Sequence, residues 1–220
     1  MLKKTCLTSF LLLSISGCGN DTPPAPTEPV NEFSRINADG TPYTGSGNYS
    51  SDPWYCVYDK RTKLIWEVKT NSNDMHNKDH TYTWFSEDIG KNNKQPGVMD
   101  GGKCAGSKCD TFSYVETINE KGLCGFKDWR LPKRVELGTI VNRGFSKNGA
   151  AIDPAYFPNT HPKEYWTDES YSFHFVGAWA WDFSFGYDRV DWKKEPKFIR
   201  LVRSDPKSKE ELQLKQPASN

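Results

Sequence analysis

The sequence predicts an α+β domain, mostly antiparallel and held by disulfides. Three observations predict it. Strand-like segments open and close the middle of the chain, helix-start signals stand between them at Asp110 and Pro132, and four cysteines lie in the same stretch. Strands at both ends with helices between them place two helices beside a sheet whose terminal strands are neighbours. The expected domain runs from residue 51 to residue 203, close to the ordinary size for one core.

The chain begins with an export signal. Lys3 and Lys4 precede an apolar run centred on Leu11, Leu12 and Leu13. The run falls short of the ~20 apolar residues that span a bilayer, and its basic start fits a secretory peptide. It ends in Ile15-Ser16-Gly17-Cys18, which resembles a bacterial lipobox. That resemblance implies removal of residues 1–17, a lipid on Cys18 and the bilayer as a partner. Gly19, not aspartate, follows Cys18, so the outer membrane is the expected address. Cutting there removes Lys3 and Lys4 and leaves 27 basic against 28 acidic side chains. So even a balance excludes a general electrostatic pull on nucleic acid.

Proline, glycine, serine, threonine and asparagine dominate residues 19–50, which read as a flexible tether behind Cys18. WYCVYD and LIWEVK, between residues 54 and 68, read as a hairpin turning at Lys60-Arg61-Thr62. Asp110 caps a helix through about Lys121, with Phe112, Val115 and Ile118 on one face. Pro132 starts a second helix, with Val135, Leu137 and Ile140 available to the core. EYWTD, AWAWDFSF and KFIRLVRS supply the later strands, and residues 204–220 form a polar tail.

In AWAWDFSFGY, Trp179, Trp181, Phe183, Phe185 and Tyr187 alternate with small or polar residues, which puts five aromatics on one strand face. Trp179 to Phe183 read as core. Phe185 and Tyr187, at the strand end, are expected to surface and stack on a sugar ring or a partner. YSFHF, residues 171–175, is expected to pair alongside.

In an exported chain the four cysteines suggest disulfides, and four allow three pairings. Cys104 and Cys109 enclose a short Gly/Ser/Lys loop that suits a local bridge, which leaves Cys56 for Cys124. The close cysteine pairs of a zinc site are absent. His76 and His80 stand four apart, but in a polar segment that reads as a solvated loop. Asp182, Asp188 and Asp191 read as solvated turn carboxylates rather than calcium ligands. There is no phosphate loop, nucleophile elbow or dinucleotide fingerprint. No metal and no cofactor is expected.

CVYDKRTKLIWEVKT, CDTFSYVETINEKGLCGFKDWRLPKRVEL, AIDPAYFPNT, EYWTDES and FIRLVRS occur in that order. Together they closely resemble the family of the Legionella collagen-like protein C-terminal domain, over nearly all of residues 54–203. The resemblance implies a C-type-lectin-like fold in exported proteins, often lipoproteins. One member is an adhesin whose domain binds sulfated glycosaminoglycans. The related formylglycine-generating enzymes bind copper through late cysteines, and no cysteine follows Cys124 here. Calcium-dependent lectins carry Glu-Pro-Asn or Gln-Pro-Asp, where this chain has Glu195-Pro196-Lys197.

Within this motif, Trp129 and Leu131 are expected to point inward while Arg130 gives its fork to carbonyls or a carboxylate and Pro132 sets the turn. The expected function is a non-catalytic, adhesin-like binding domain on a lipoprotein, with an anionic glycan as ligand. Its candidate contacts are Lys127, Lys133 and Arg134 near the motif and Lys193, Lys194 and Lys197 in DWKKEPK. The alternative is a subunit of an envelope or secretion assembly that docks a protein through Phe185 and Tyr187.

Overall fold

The computed structural model describes residues 32–92, 94–174 and 176–205. Cys18, residues 19–31 of the expected tether and residues 206–220 of the tail lie outside them. Strands β1 (Phe33–Ile36), β2 (Cys56–Asp59), β3 (Leu64–Glu67) and β7 (Val202–Ser204) form one antiparallel sheet in the order β1-β2-β3-β7. Strands β4 (Glu164–Ser170), β5 (Gly177–Asp182) and β6 (Tyr187–Trp192) form a second. Between them in sequence come α1 (Ile89–Asn92), α2 (Thr111–Lys121), α3 (Arg134–Gly138) and a 3₁₀ turn at Arg143–Phe145. The fold is α+β, and the first and last strands of the domain share a sheet, as the order of patterns predicts.

The first sheet is buried on both faces. Ile65 of β3 joins one core with Tyr114 and Ile118 of α2, while Leu64 and Trp66 join another with Leu137 and Ile140. This is why LIWE reads as an apolar run and not as an alternation. Its one acid, Glu67, is fully buried. Glu67 Oε1 lies 2.9 Å from Lys69 Nζ and 2.9 Å from His76 Nδ1, and it also accepts the Tyr114 hydroxyl. Oε2 accepts Leu201 N at 2.9 Å. The buried Arg200 donates to the Glu67 carbonyl at 2.6 Å and to Thr160 at 2.7 Å. Burial pushes the Glu67 carboxyl up, but Lys69, His76 and Tyr114 together hold it well below its usual range. His76 is therefore anchored to the core, not afloat in a solvated loop.

The domain begins earlier than residue 51. Phe33–Ile36 pairs with β2, Phe33 packs on Tyr156 and Phe157, and Tyr43 and Tyr49 meet Trp54 edge-on at 5.8 and 5.0 Å. The polar composition of residues 32–50 hides these few aromatic anchors, so this part of the expected tether belongs to the fold.

Asp110 caps α2 through a 2.8 Å bond from Ser113 N, and the helix ends at Lys121 as expected. Its fully buried apolar side chains are Tyr114 and Ile118, with Phe112 and Val115 only half-buried. In α3, Leu137 is buried but Val135 is exposed, because the helix lasts five residues and turns only one side inward. The two bridges are Cys56–Cys124 and Cys104–Cys109.

The GFKDWRLP stretch joins these parts. Trp129 and Leu131 are buried. Arg130 lays both ends of its fork on Glu136, each at 2.7 Å. Glu136 also accepts Lys133 N at 2.8 Å at the start of α3. The hydrogen bonds to Glu136 hold the Arg130 guanidinium above its usual range; burial raises the carboxyl of Glu136, but the Arg130 pair brings it net below its own. Asn119 of α2 accepts Trp129 N and donates to Trp129 O, both at 2.8 Å. Arg130 exchanges backbone bonds with Val202 of β7. Asp128 holds Arg203 at 2.6 Å.

The second sheet corrects the aromatic alternation. Ala178 and Ala180 face the core, and Trp179 and Trp181 lie half-buried on the other face. The inner side has room only for alanine because Trp84, Trp166 and Tyr82 already fill it. Trp166 and Trp84 donate to Tyr82 O and Thr167 O, both at 2.9 Å. Trp181 instead donates to Arg134 O at 2.6 Å, close to Gly138, where a Cβ would come within 2.5 Å of the indole. Phe183 is buried, but in the turn beyond the strand. YSFHF adds no strand among the described residues, and Tyr171 packs edge-on against Trp179 at 5.4 Å.

Three measurements check these contacts. Replacing Cys56 and Cys124 together by alanine is expected to cost about 4 kcal/mol in urea unfolding, and replacing Cys104 and Cys109 about 2 kcal/mol, because the closed loops differ in length. Arg130→Lys is expected to cost about 1–2 kcal/mol, since lysine cannot make the paired bonds to Glu136; full stability in that variant would remove the clamp assignment. Glu67 sits below its unfolded value, so its contribution is complete above pH 4.5 and is lost as pH falls toward the folded value. Glu67→Gln is expected to cost about 3–5 kcal/mol at pH 7, by leaving Lys69 buried without its partner, and to flatten the acid limb of the stability profile.

Candidate functional site

The face that carries Trp179 and Trp181 leads to a surface site. Cross-strand partners share a face, and the β5–β6 register sets Trp181 beside Asp188, Trp179 beside Val190, and Gly177 beside Trp192. The row starts under α3. Arg134 lies over the Trp179 ring at 4.1 Å and pairs with Asp188 at 3.2 Å. The row ends at Trp192, which is 58% exposed at the end of β6.

Trp192 stands between two clefts. One, of about 270 Å³, is lined by Gly177 and Val190 with His174, Val176, Asp191 and Trp192 around them. The other, of about 250 Å³, is lined by Gln95, Gly97, Val98, Val176, Lys193 and Lys194 together with Trp192. Lys194 Nζ lies 5.4 Å from the Trp192 ring centroid and 4.0 Å from Glu195. An exposed indole with an ammonium beside it offers an apolar face for a ring and a charge for an anion. Val98 and Val176 are also partly exposed, which makes the rim apolar.

The predicted cations separate. Lys193 is 2% exposed, donates to Gln95 O and lies 4.3 Å from the Trp84 ring centroid. Burial lowers its ammonium to about 8. Lys197 is 6% exposed and bound to Asp191 at 2.6 Å. Burial raises the Asp191 carboxyl, but Lys197 brings it net below its usual range. Both lysines are almost wholly buried, because each ammonium group lies over a buried indole, Lys193 over Trp84 and Lys197 over Trp166. Arg134 is half-buried on Trp179, and Lys127 donates to Glu120 O at 3.1 Å. Lys194 lines the Trp192 site and Lys133 lines a different cleft. Phe185 and Tyr187 surface as expected, 63% and 44% exposed, with their rings stacked at 5.9 Å. Tyr187 pairs with Asp182, so it occupies the sheet face opposite Trp181.

Trp192 is the residue that sequence reasoning missed. Continuing the aromatic alternation through the hairpin would have reached it, but that needs the turn length, since a one-residue slip reverses the face. Two of the acids and one histidine have clear structural partners. Asp182 accepts Ser184 N at 2.7 Å, and His161 meets Asp79 at 2.6 Å. Among the described residues no three His, Cys, Asp or Glu side chains are grouped to hold a metal ion.

The model of one protein family, the Lcl C-terminal domain, matches residues 55–203. No curated protein and no solved structure matches the chain. The matched span runs from the residue before Cys56 to Arg203, and so takes in both disulfides, the WRLP clamp and both faces of the second sheet. With well over half of its length inside that match, the chain belongs to the Lcl C-terminal domain family.

Proposed function

We propose that this protein is a lipid-anchored envelope protein whose domain binds anionic glycans without catalysis. The observation that carries the reading is Trp192, an exposed indole between two clefts with the Lys194 ammonium at its edge. A sugar ring stacks on the indole and a sulfate or carboxylate on the sugar meets Lys194. Gln95 and His174 supply further hydrogen-bonding groups on either side. The adhesin activity implied by the family resemblance points to the same ligand class, although a shared fold alone does not carry a function. The signal and lipobox at residues 1–18 support an anchor at Cys18 and an outer-membrane address. The strand Phe33–Ile36 takes the later part of the expected tether, residues 19–50, into the fold.

A second reading has its own observation. The exposed, stacked Phe185 and Tyr187 suit a protein partner in an envelope assembly.

The test is calorimetric binding of a sulfated heparin-type oligosaccharide to the chain from residue 18 onward, with Cys18→Ser to keep it free of lipid. Affinity is expected to fall as salt rises from low to physiological levels, because exposed charges are screened over about 8 Å there. Trp192→Ala is expected to weaken binding about tenfold, equivalent to about 1.4 kcal/mol, and Lys194→Glu to remove most of the salt dependence. A folded chain that binds no sulfated or carboxylated glycan would end this reading in favour of the protein partner.

A further inference from the structure

The two disulfides differ in how a reagent can reach them. Cys56 and Cys124 lie within the core, 0% and 1% exposed. Cys104 is only half-buried, and Ala105, Gly106 and Lys108 of the loop it closes with Cys109 are exposed. A thiol approaching from solvent therefore meets Cys104 without opening the core. The two bridges also differ in span, with 68 residues of separation for Cys56–Cys124 and 5 for Cys104–Cys109. A bridge across so short a loop contributes less to the fold, so the domain keeps its structure when that bridge opens.

Cys109 is also the point from which residues 97–102 are held. Its backbone N donates to Asp100 Oδ1 at 2.7 Å. Its carbonyl accepts Gly102 N at 3.0 Å and Thr83 N at 3.2 Å. Thr83 Oγ1 in turn donates to Val98 O at 2.7 Å and accepts Gly101 N at 3.1 Å. Asp100 N donates to Asp110 Oδ2 at 3.1 Å, and these bonds hold Asp100 in the left-handed region at φ 50°. Gly102 packs so closely that a Cβ there would come within 2.7 Å of Cys109 O. The far end of the same segment, Gly97 and Val98, lines the cleft of about 250 Å³ beside Trp192. The bridge thus closes a chain of contacts that ends at one wall of that cleft.

We propose that Cys104–Cys109 is a thiol–disulfide exchange site, and that its opening by a dithiol reductant loosens the wall of the Trp192 cleft formed by residues 97–102. One thiolate of the reductant attacks Cys104 Sγ, the half-buried sulfur. The Cys104–Cys109 bond breaks, a mixed disulfide forms on Cys104, and Cys109 leaves as a thiolate that takes up a proton. The second thiol of the reductant then attacks its own sulfur in the mixed disulfide. Cys104 is released and protonated, and the dithiol departs oxidised to its disulfide. The protein has gained two electrons and two protons, which the dithiol has lost. With the loop of residues 104–109 open, the Cys109 backbone no longer fixes Asp100 and Gly102. The control of glycan binding rests on the Trp192 reading, whereas the exchange step and the response of the segment do not.

The test exposes the native chain, from residue 18 onward with Cys18→Ser, to dithiothreitol, and maps the freed thiols by alkylation and peptide mass. Cys104 and Cys109 are expected to react about 100-fold sooner than Cys56 and Cys124. Amide hydrogen exchange at residues 97–102 is then expected to quicken about tenfold, with β5 unchanged. The double variant Cys104→Ala, Cys109→Ala is expected to show the same fast exchange with no reductant present, which ties the response to the bridge. The heparin-type oligosaccharide is expected to bind the reduced chain about tenfold more weakly than the oxidised one. Equal reduction of both bridges, unchanged exchange at residues 97–102 in the reduced chain and the variant, or loss of protection in β5 as well would overturn the proposal. A loosened segment with unchanged oligosaccharide affinity would overturn the control of the cleft. Exchange is read without ligand, so a chain that binds no glycan still decides whether the bridge acts on the segment.

Discussion

The buried carboxylate of Glu67 is the interaction on which the rest of the domain depends. It lies at the end of a strand buried on both faces, and its partners come from four separate parts of the chain: Lys69, His76, Tyr114 of α2 and the backbone of Leu201. Arg200 adds a bond to the backbone carbonyl of the same residue. A carboxylate in an apolar interior is tolerable only when each oxygen is occupied, so this one group sets where the helix, the histidine loop and the final strand must lie. The Cys56–Cys124 bridge leaves the neighbouring strand and reaches the start of the WRLP motif, so covalent and electrostatic ties act on the same region.

The second constraint is steric. Trp84 and Trp166 fill the space between the second sheet and the core, and their indole N–H groups are satisfied by carbonyls within it. β5 can then present only alanines inward, and its tryptophans turn outward. One of them is covered by Arg134 and α3, the other by α3 alone, and the row they begin ends uncovered at Trp192. Core packing thus creates the exposed indole on which the glycan reading rests.

The motifs that identify the family are mostly structural. Arg130 binds Glu136, Arg203 binds Asp128, and Arg200 is buried over Phe157. These planar forks hold loops and strand ends together, a task that lysine performs poorly. The motif that names the family therefore reports the scaffold. The candidate site lies beside it, on Trp192, in a segment that carries no distinctive sequence signature.

The sequence by itself determined the α+β class, the β2–β3 hairpin, the cap and length of α2, the family, and a WRLP turn whose arginine needs a partner. These are local matters, written in periodicity, capping residues and cysteine spacing. Only the tertiary structure decided that Phe33–Ile36 adds a strand, that alanine and not tryptophan faces inward on β5, and that Lys193 and Lys197 are buried while Lys194 is not. Each of those outcomes depends on what stands opposite. A strand face, a lysine stem or a lone carboxylate takes its character from neighbours far away in the chain, and a reading of adjacent residues does not contain them.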